Sequence, residues 1–205
     1  MTETKTALPH TSLFDAICFA SHKHRFQKRK NADATPYIDH PLNVMRLVHD
    51  VGGVSDLATL QAAVLHDTVE DTKTTLQEIE DTFGAAVASI VLECTDDKTL
   101  TKEQRKLLQI KNAPHKSKAA KIVKLADKCH NLASLLDDAP TTWDKERIQN
   151  YFSWARRVIE GCRGVNAGLE KYFDNLCHPK RTMRYHHTKE EFNVLPPDWQ
   201  TRPVL

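Results

Sequence analysis

Apolar residues recur along this chain at the three- and four-residue spacing of helices, and the strict alternation of strands is hard to find. Leu13, Ile17 and Ala20 share one face of a first helix, with Ser12 as its predicted cap. A second, HPLNVMRLVHDVG, takes Pro41 into its first turn and stops at Gly52 and Gly53. SDLATLQAAVLHDTVED predicts a buried third helix starting at a capping Ser55, followed by TTLQEIEDTFG, AAVASIVLECTDD and a basic TKEQRKLLQIKNAP closed by Pro114. The long SKAAKIVKLADKCHNLASLLDDAP carries a stripe of Ile122, Leu125, Ala126, Cys129, Leu132 and Leu136. WDKERIQNYFSWARRVIEGCRG and NAGLEKYFDNLCHP complete an all-α bundle of about eight to ten helices, with Trp143, Phe152 and Trp154 read as core. After Pro179, prolines and charges replace periodicity. The expected organisation is an N-terminal extension over 1–11, one domain over 12–178 and a disordered tail over 179–205.

Composition narrows the function classes. The 205 residues are 27% charged, and no apolar run approaches the roughly 18 residues a spanning helix needs, so no membrane partner is expected. MTETKTALPH lacks the apolar core of a signal peptide. Five cysteines, scattered singly and without a CxxC, point to a reducing, cytoplasmic setting. A net charge of +2 is too small for general nucleic-acid binding, while local cation clusters remain suited to a compact polyanion.

The chemistry concentrates in LHDTVED. On a continuous helix His66 and Glu70 lie one turn apart, as do Asp67 and Asp71, so two polar pairs stack along one side. His40 in YIDHP and Asp127 in KLADKCHNL add an imidazole and a carboxylate. Singly, the first reads as a turn histidine and the second as a surface aspartate paired with Lys124 or Lys128. Taken with His66 and Asp67, they make two imidazoles and two carboxylates, a set that suits a catalytic transition metal with positions left for water. Lys28, Arg29 and Lys30 crowd a helix end where cations can hold a pyrophosphate. Asn131, one turn after Asp127, faces the same side.

TPYIDHP (35–41), LHDTVEDT (65–72), TDDKTL (95–100) and KLADKCHNL (124–132) together resemble the HD-superfamily hydrolases, and within them the SpoT-like hydrolases of the alarmone guanosine tetraphosphate, closest to the small stand-alone metazoan type. The resemblance covers about residues 12–178. It implies one Mn²⁺ held by His40, His66, Asp67 and Asp127, with Glu70 and Asp71 as the hydrolysis pair. It further implies removal of the 3′-pyrophosphate from guanosine tetraphosphate or pentaphosphate, the signal of the stringent response, with no synthetase domain alongside. Arg29 and Lys30 match the family's pattern, Tyr37 falls within its TPYIDHP motif, and Lys102, Arg147 and Tyr151 align with positions lining the nucleotide pocket. Cys129 and His130 depart from the Leu-Tyr pair expected in animal relatives, although histidine is usual there in long bacterial enzymes. The runner-up activity is phosphate removal from another nucleotide, such as the 2′-phosphate of NADPH; a metal-binding regulatory module without turnover is the non-enzymatic alternative. His186 and His187 are set aside as unconnected with the cleft.

Overall fold

The computed structural model describes residues 12–178, 180–185, 188–202 and 204; the expected extension over 1–11, together with His186 and His187, lies outside the described residues. In chain order the elements are α1 (Leu13–His24), α2 (Asp39–Asp50), α3 (Leu57–Leu65), α4 (Thr68–Asp71), α5 (Leu76–Phe83), α6 (Ala85–Cys94), α7 (Lys102–Asn112), α8 (Lys118–Asp137), α9 (Lys145–Glu160) and α10 (Ala167–Leu176). A 3-10 turn (Ala113–His115) follows α7, and an antiparallel hairpin of β1 (Lys180–Tyr185) and β2 (Thr188–Asn193) follows α10.

Most ends obey the local signals. Ser12 caps α1 in a reciprocal box with Asp15, and the chain leaves α2 through Gly53 at φ +63°, a left-handed conformation that suits glycine. Asp56, not Ser55, caps α3: its carboxylate accepts from Thr59 N at 2.9 Å, where the helix dipole also favours a negative charge. Every residue of α3 from Thr59 to Leu65 is buried, and the helix packs against α1, α2, α6 and α8. A helix apolar on all sides has to be central. Val64, Leu65, Leu125, Leu132 and Phe152 are fully enclosed, each worth about 1.5–3 kcal/mol in transfer free energy.

The predicted continuous helix through Asp71 is interrupted. α3 ends at Leu65, Asp67 sits at φ −100° and ψ −4°, and α4 restarts at Thr68. The Thr68 hydroxyl donates to Leu65 O at 2.7 Å and so competes for a carbonyl that the continuing helix would use. Trp154 and Phe152 are core as expected, but Trp143 is only partly buried and lines a cleft. Prolines and charges also misread the last segment as without order. β1 lies beside α8, Val194 is fully buried, and the Arg156 guanidinium stands 5.1 Å from the Trp199 ring centroid. Long-range docking there replaces local periodicity.

Candidate active site

Three helices converge on the cluster that the motifs singled out. α2 delivers His40, the α3–α4 junction delivers His66 and Asp67, and the middle of α8 delivers Asp127. His40 Nε2 is 3.2 Å from Asp127 Oδ1 and 3.5 Å from Asp67 Oδ2; His66 Nε2 is 3.1 Å from Asp67 Oδ2 and 3.9 Å from Asp127 Oδ1. An ion held by nitrogen and oxygen donors at about 2.0–2.2 Å sets neighbouring donors roughly 3.0–3.5 Å apart. His66 supplies a second test of fit. Its Nδ1 donates to Ala63 O at 2.8 Å, which leaves the buried Nε2, facing the Asp67 and Asp127 carboxylates, as the nitrogen a cation would meet. His40, His66 and Asp67 thus form a group able to hold a metal ion, and Asp127 approaches both imidazoles.

The electrostatics point the same way. Burial works against a charged imidazole, and in His40 it wins, lowering the pKa. In His66 the same burial is overcome by Asp67 and Asp127, which raise its pKa to about 9. The paired carboxylates therefore concentrate negative charge that a proton or a cation must balance. Each ligand carboxylate is also oriented from behind. The Tyr37 hydroxyl donates to Asp67 Oδ2 at 2.6 Å, Asn131 Nδ2 donates to Asp127 Oδ1 at 2.6 Å, and the Lys128 ammonium meets Asp127 Oδ2 at 2.9 Å.

His130 is joined to His40 through their Nδ1 atoms at 2.7 Å, and burial together with the His40 and Arg29 charges pushes its pKa down to about 3. With His130 held neutral, the tautomer in which His40 Nδ1 donates to His130 Nδ1 leaves His40 Nε2 free for a cation. His130→Ala is expected to weaken metal affinity by about 10- to 100-fold. Titration of the metal-stripped chain with Mn²⁺ measures it, and an unchanged Kd would remove His130 from this role.

Glu70 and Asp71 do not stack on the cluster as the helical spacing suggested. After the interruption they turn toward the loop following α6. Glu70 Oε2 accepts from Asp96 N at 3.0 Å, and Lys98 Nζ lies 2.8 Å from Asp71 Oδ1 and 3.4 Å from Glu70 Oε1. Tyr37 ties this pair to the centre through a second contact, 3.3 Å to Asp71 Oδ2. Burial raises the Glu70 pKa, the direction that lets a carboxyl exchange a proton near neutrality.

Two adjoining cavities flank the cluster. One, about 310 Å³, is lined by Arg29, Lys30, Tyr37, Asp71, Asn131 and Tyr151 among others; the next, about 540 Å³, shares Lys30, Trp143 and Tyr151 and adds Lys102, Lys106, Arg147 and Asn150. All seven residues expected at a substrate pocket therefore line this cleft. Arg29 Nη2 donates to Asn131 Oδ1 at 3.4 Å, so the basic loop is linked to Asp127 through Asn131. Asp138, at the end of α8, anchors that loop by accepting from Asn31 Nδ2 at 2.8 Å. Burial and the nearby Lys102, Lys128 and Arg147 push Lys106 down to about 8, a measure of how cationic the second cavity is.

Sequence reasoning missed Lys98, Lys106, Asp138 and Trp143, and it placed Lys128 on the surface. Lys98 stood inside the quoted TDDKTL and Lys128 beside Asp127; Trp143 reads as core from its helical spacing, and Lys106 and Asp138 carried no local signal.

An all-helical bundle centred on an adjacent histidine and aspartate is the architecture of one protein class, and this chain belongs to it: it matches the HD domain family over residues 16–158. Within that family it is 52% identical over 164 residues to the guanosine-3′,5′-bis(diphosphate) 3′-pyrophosphohydrolase MESH1 of Xenopus tropicalis, a match covering 80% of this chain and 92% of the relative. The MESH1 protein of Drosophila melanogaster is 43% identical, with 82% and 94% covered. A solved structure described as a metazoan orthologue of SpoT that hydrolyses ppGpp superposes with a TM-score of 0.79 at 42% identity, over 83% of this chain and 96% of the other.

Proposed function

We propose that this chain hydrolyses guanosine tetraphosphate or pentaphosphate at the 3′ position, releasing GDP or GTP and pyrophosphate. The carrying observation is that the His40, His66, Asp67 and Asp127 cluster sits one hydrogen bond from a cationic cleft, through Tyr37 on Asp67 and Asn131 on Asp127. Relatives bearing that activity cover nearly the whole of their length on this chain.

His40, His66, Asp67 and Asp127 would hold one Mn²⁺, which polarises phosphate oxygens and acidifies water when bound. Glu70 and Asp71 do the proton work. One carboxylate takes a proton from the attacking water as its oxygen bonds to phosphorus, and the other, protonated, gives its proton to the 3′ oxygen as that oxygen's bond to phosphorus breaks. Lys98 holds both carboxylates in place. Arg29 and Lys30 meet the phosphates nearest the cluster, and Lys102 and Arg147 meet the more distant ones. Trp143 and Tyr151, with ring centroids 5.7 Å apart, form an aromatic wall for the base. Five free thiols fit a cytoplasmic setting.

A product-resolved assay with Mn²⁺ tests the assignment. GDP and pyrophosphate are expected in equal amounts from guanosine tetraphosphate. Inorganic phosphate as the sole product, from this nucleotide or from NADPH, would reassign the substrate, and binding without turnover would leave a regulatory module.

A further inference from the structure

The last described stretch of the chain reaches the wall of the cleft. Asn150, on α9, is 8% exposed and lines the cavity that also holds Lys102, Lys106 and Arg147. Its Oδ1 accepts from Arg202 Nη1 at 3.1 Å. Arg202 is itself fixed from two sides: Nε donates to Asp198 Oδ1 at 3.1 Å, and its carbonyl accepts from Arg157 Nη1 at 3.1 Å. The buried Val194 and the Trp199 ring against Arg156 seat the segment between them on the bundle. Residue 202 lies well beyond the matched HD domain, which ends at 158, whereas Asn150 lies within it.

We propose that Arg202 is a positioning residue for the nucleotide pocket, acting through Asn150. A guanidinium only donates, so its partner on Asn150 has to be the carbonyl oxygen, and this settles which way the amide faces. The amide N–H donors of Asn150 are then what the side chain has left for a polar substrate in the cleft. Without Arg202 this contact no longer fixes the amide, and its flipped orientation would present the carbonyl oxygen to an anionic ligand. The interaction serves binding, because Asn150 lines the cavity of Lys102, Lys106 and Arg147, whose lining includes neither Glu70 and Asp71 nor the four candidate ligands.

The inference rests on the nucleotide reading of the cleft, and kinetics on the full chain separates the two. Arg202→Met keeps the aliphatic stem and removes the donors; KM for guanosine tetraphosphate is expected to rise about 3- to 10-fold, as for one lost hydrogen bond, with kcat and Mn²⁺ content unchanged. Asn150→Ala should raise KM similarly, and adding Arg202→Met to it should do nothing more. Arg202→Lys, which retains a donor, should recover part of the loss. An Arg202→Met chain with lowered Tm but wild-type KM would make the contact structural only, and additive effects in the double variant would break the link to Asn150. A wild-type chain without turnover would instead refute the nucleotide reading, and the inference with it.

Discussion

Asp127→Ala is expected to lose bound metal and turnover together, with kcat/KM falling on the order of 10³-fold or more, since a Lewis-acid ion supplies several kcal/mol to such a reaction. The same change strands a cation. Lys128 is 4% exposed, 2.9 Å from Asp127 and 4.5 Å from the centroid of the Trp154 ring. Removing one partner of a buried pair costs about 3–5 kcal/mol, so a marked drop in Tm should accompany the loss of activity. His66→Ala separates the two effects. It strands no buried ammonium, although Asp67 and Asp127 lose the imidazole they face, so metal and activity should go while Tm falls less. Metal analysis and thermal unfolding of both variants decide the matter: full Mn²⁺ occupancy in either one would sink its assignment as a ligand.

Glu70→Gln is the second large effect. Gln keeps an oxygen for Asp96 N and nearly the same volume, so fold and metal content should survive. What is lost is a carboxyl whose pKa burial has raised, and general acid–base work is worth about 10²- to 10⁴-fold in kcat. Single-turnover rates at saturating Mn²⁺ measure it. Unchanged turnover would reduce Glu70 to a brace for the loop carrying Asp96 and Lys98.

Much of this architecture could be read from the chain before any coordinates. The cap expected at Ser12 is there and the one expected at Ser55 falls one residue short of Asp56, while Thr75, Thr101, Ser117 and Asn166, at the starts of the quoted segments, each hold a backbone amide in the structure. The four cluster residues were legible as a set, through their combined donor types and the family resemblance, while singly His40 reads as a turn histidine and Asp127 as a surface aspartate. Convergence was another matter. Asp127 and His66 are far apart in sequence, and only the packing of α3 against α8 brings them together. Lys128 looked like a surface cation because an ammonium is seldom buried, and here Asp127 and an aromatic face balance it. Trp143 was misplaced for the opposite reason: helical spacing identifies aromatics near a core without telling a core ring from a cleft wall. The final segment escaped altogether, since its order comes from α8 and α9 and its own pattern carries none of it.

The break between α3 and α4 has a bearing on how this protein can be improved. In an unbroken helix neighbouring side chains diverge by about 100°, and His66 and Asp67 could not both face one ion. The junction residue Asp67 gives up regular helical backbone so that two adjacent positions share one job. Selection for heat resistance tends to reward straighter, better-bonded helices, and here the obvious target is Thr68, whose hydroxyl competes for Leu65 O. A sturdier chain obtained that way would be a poorer enzyme, so directed evolution for thermal tolerance has to leave residues 65–68 alone and find its gains elsewhere.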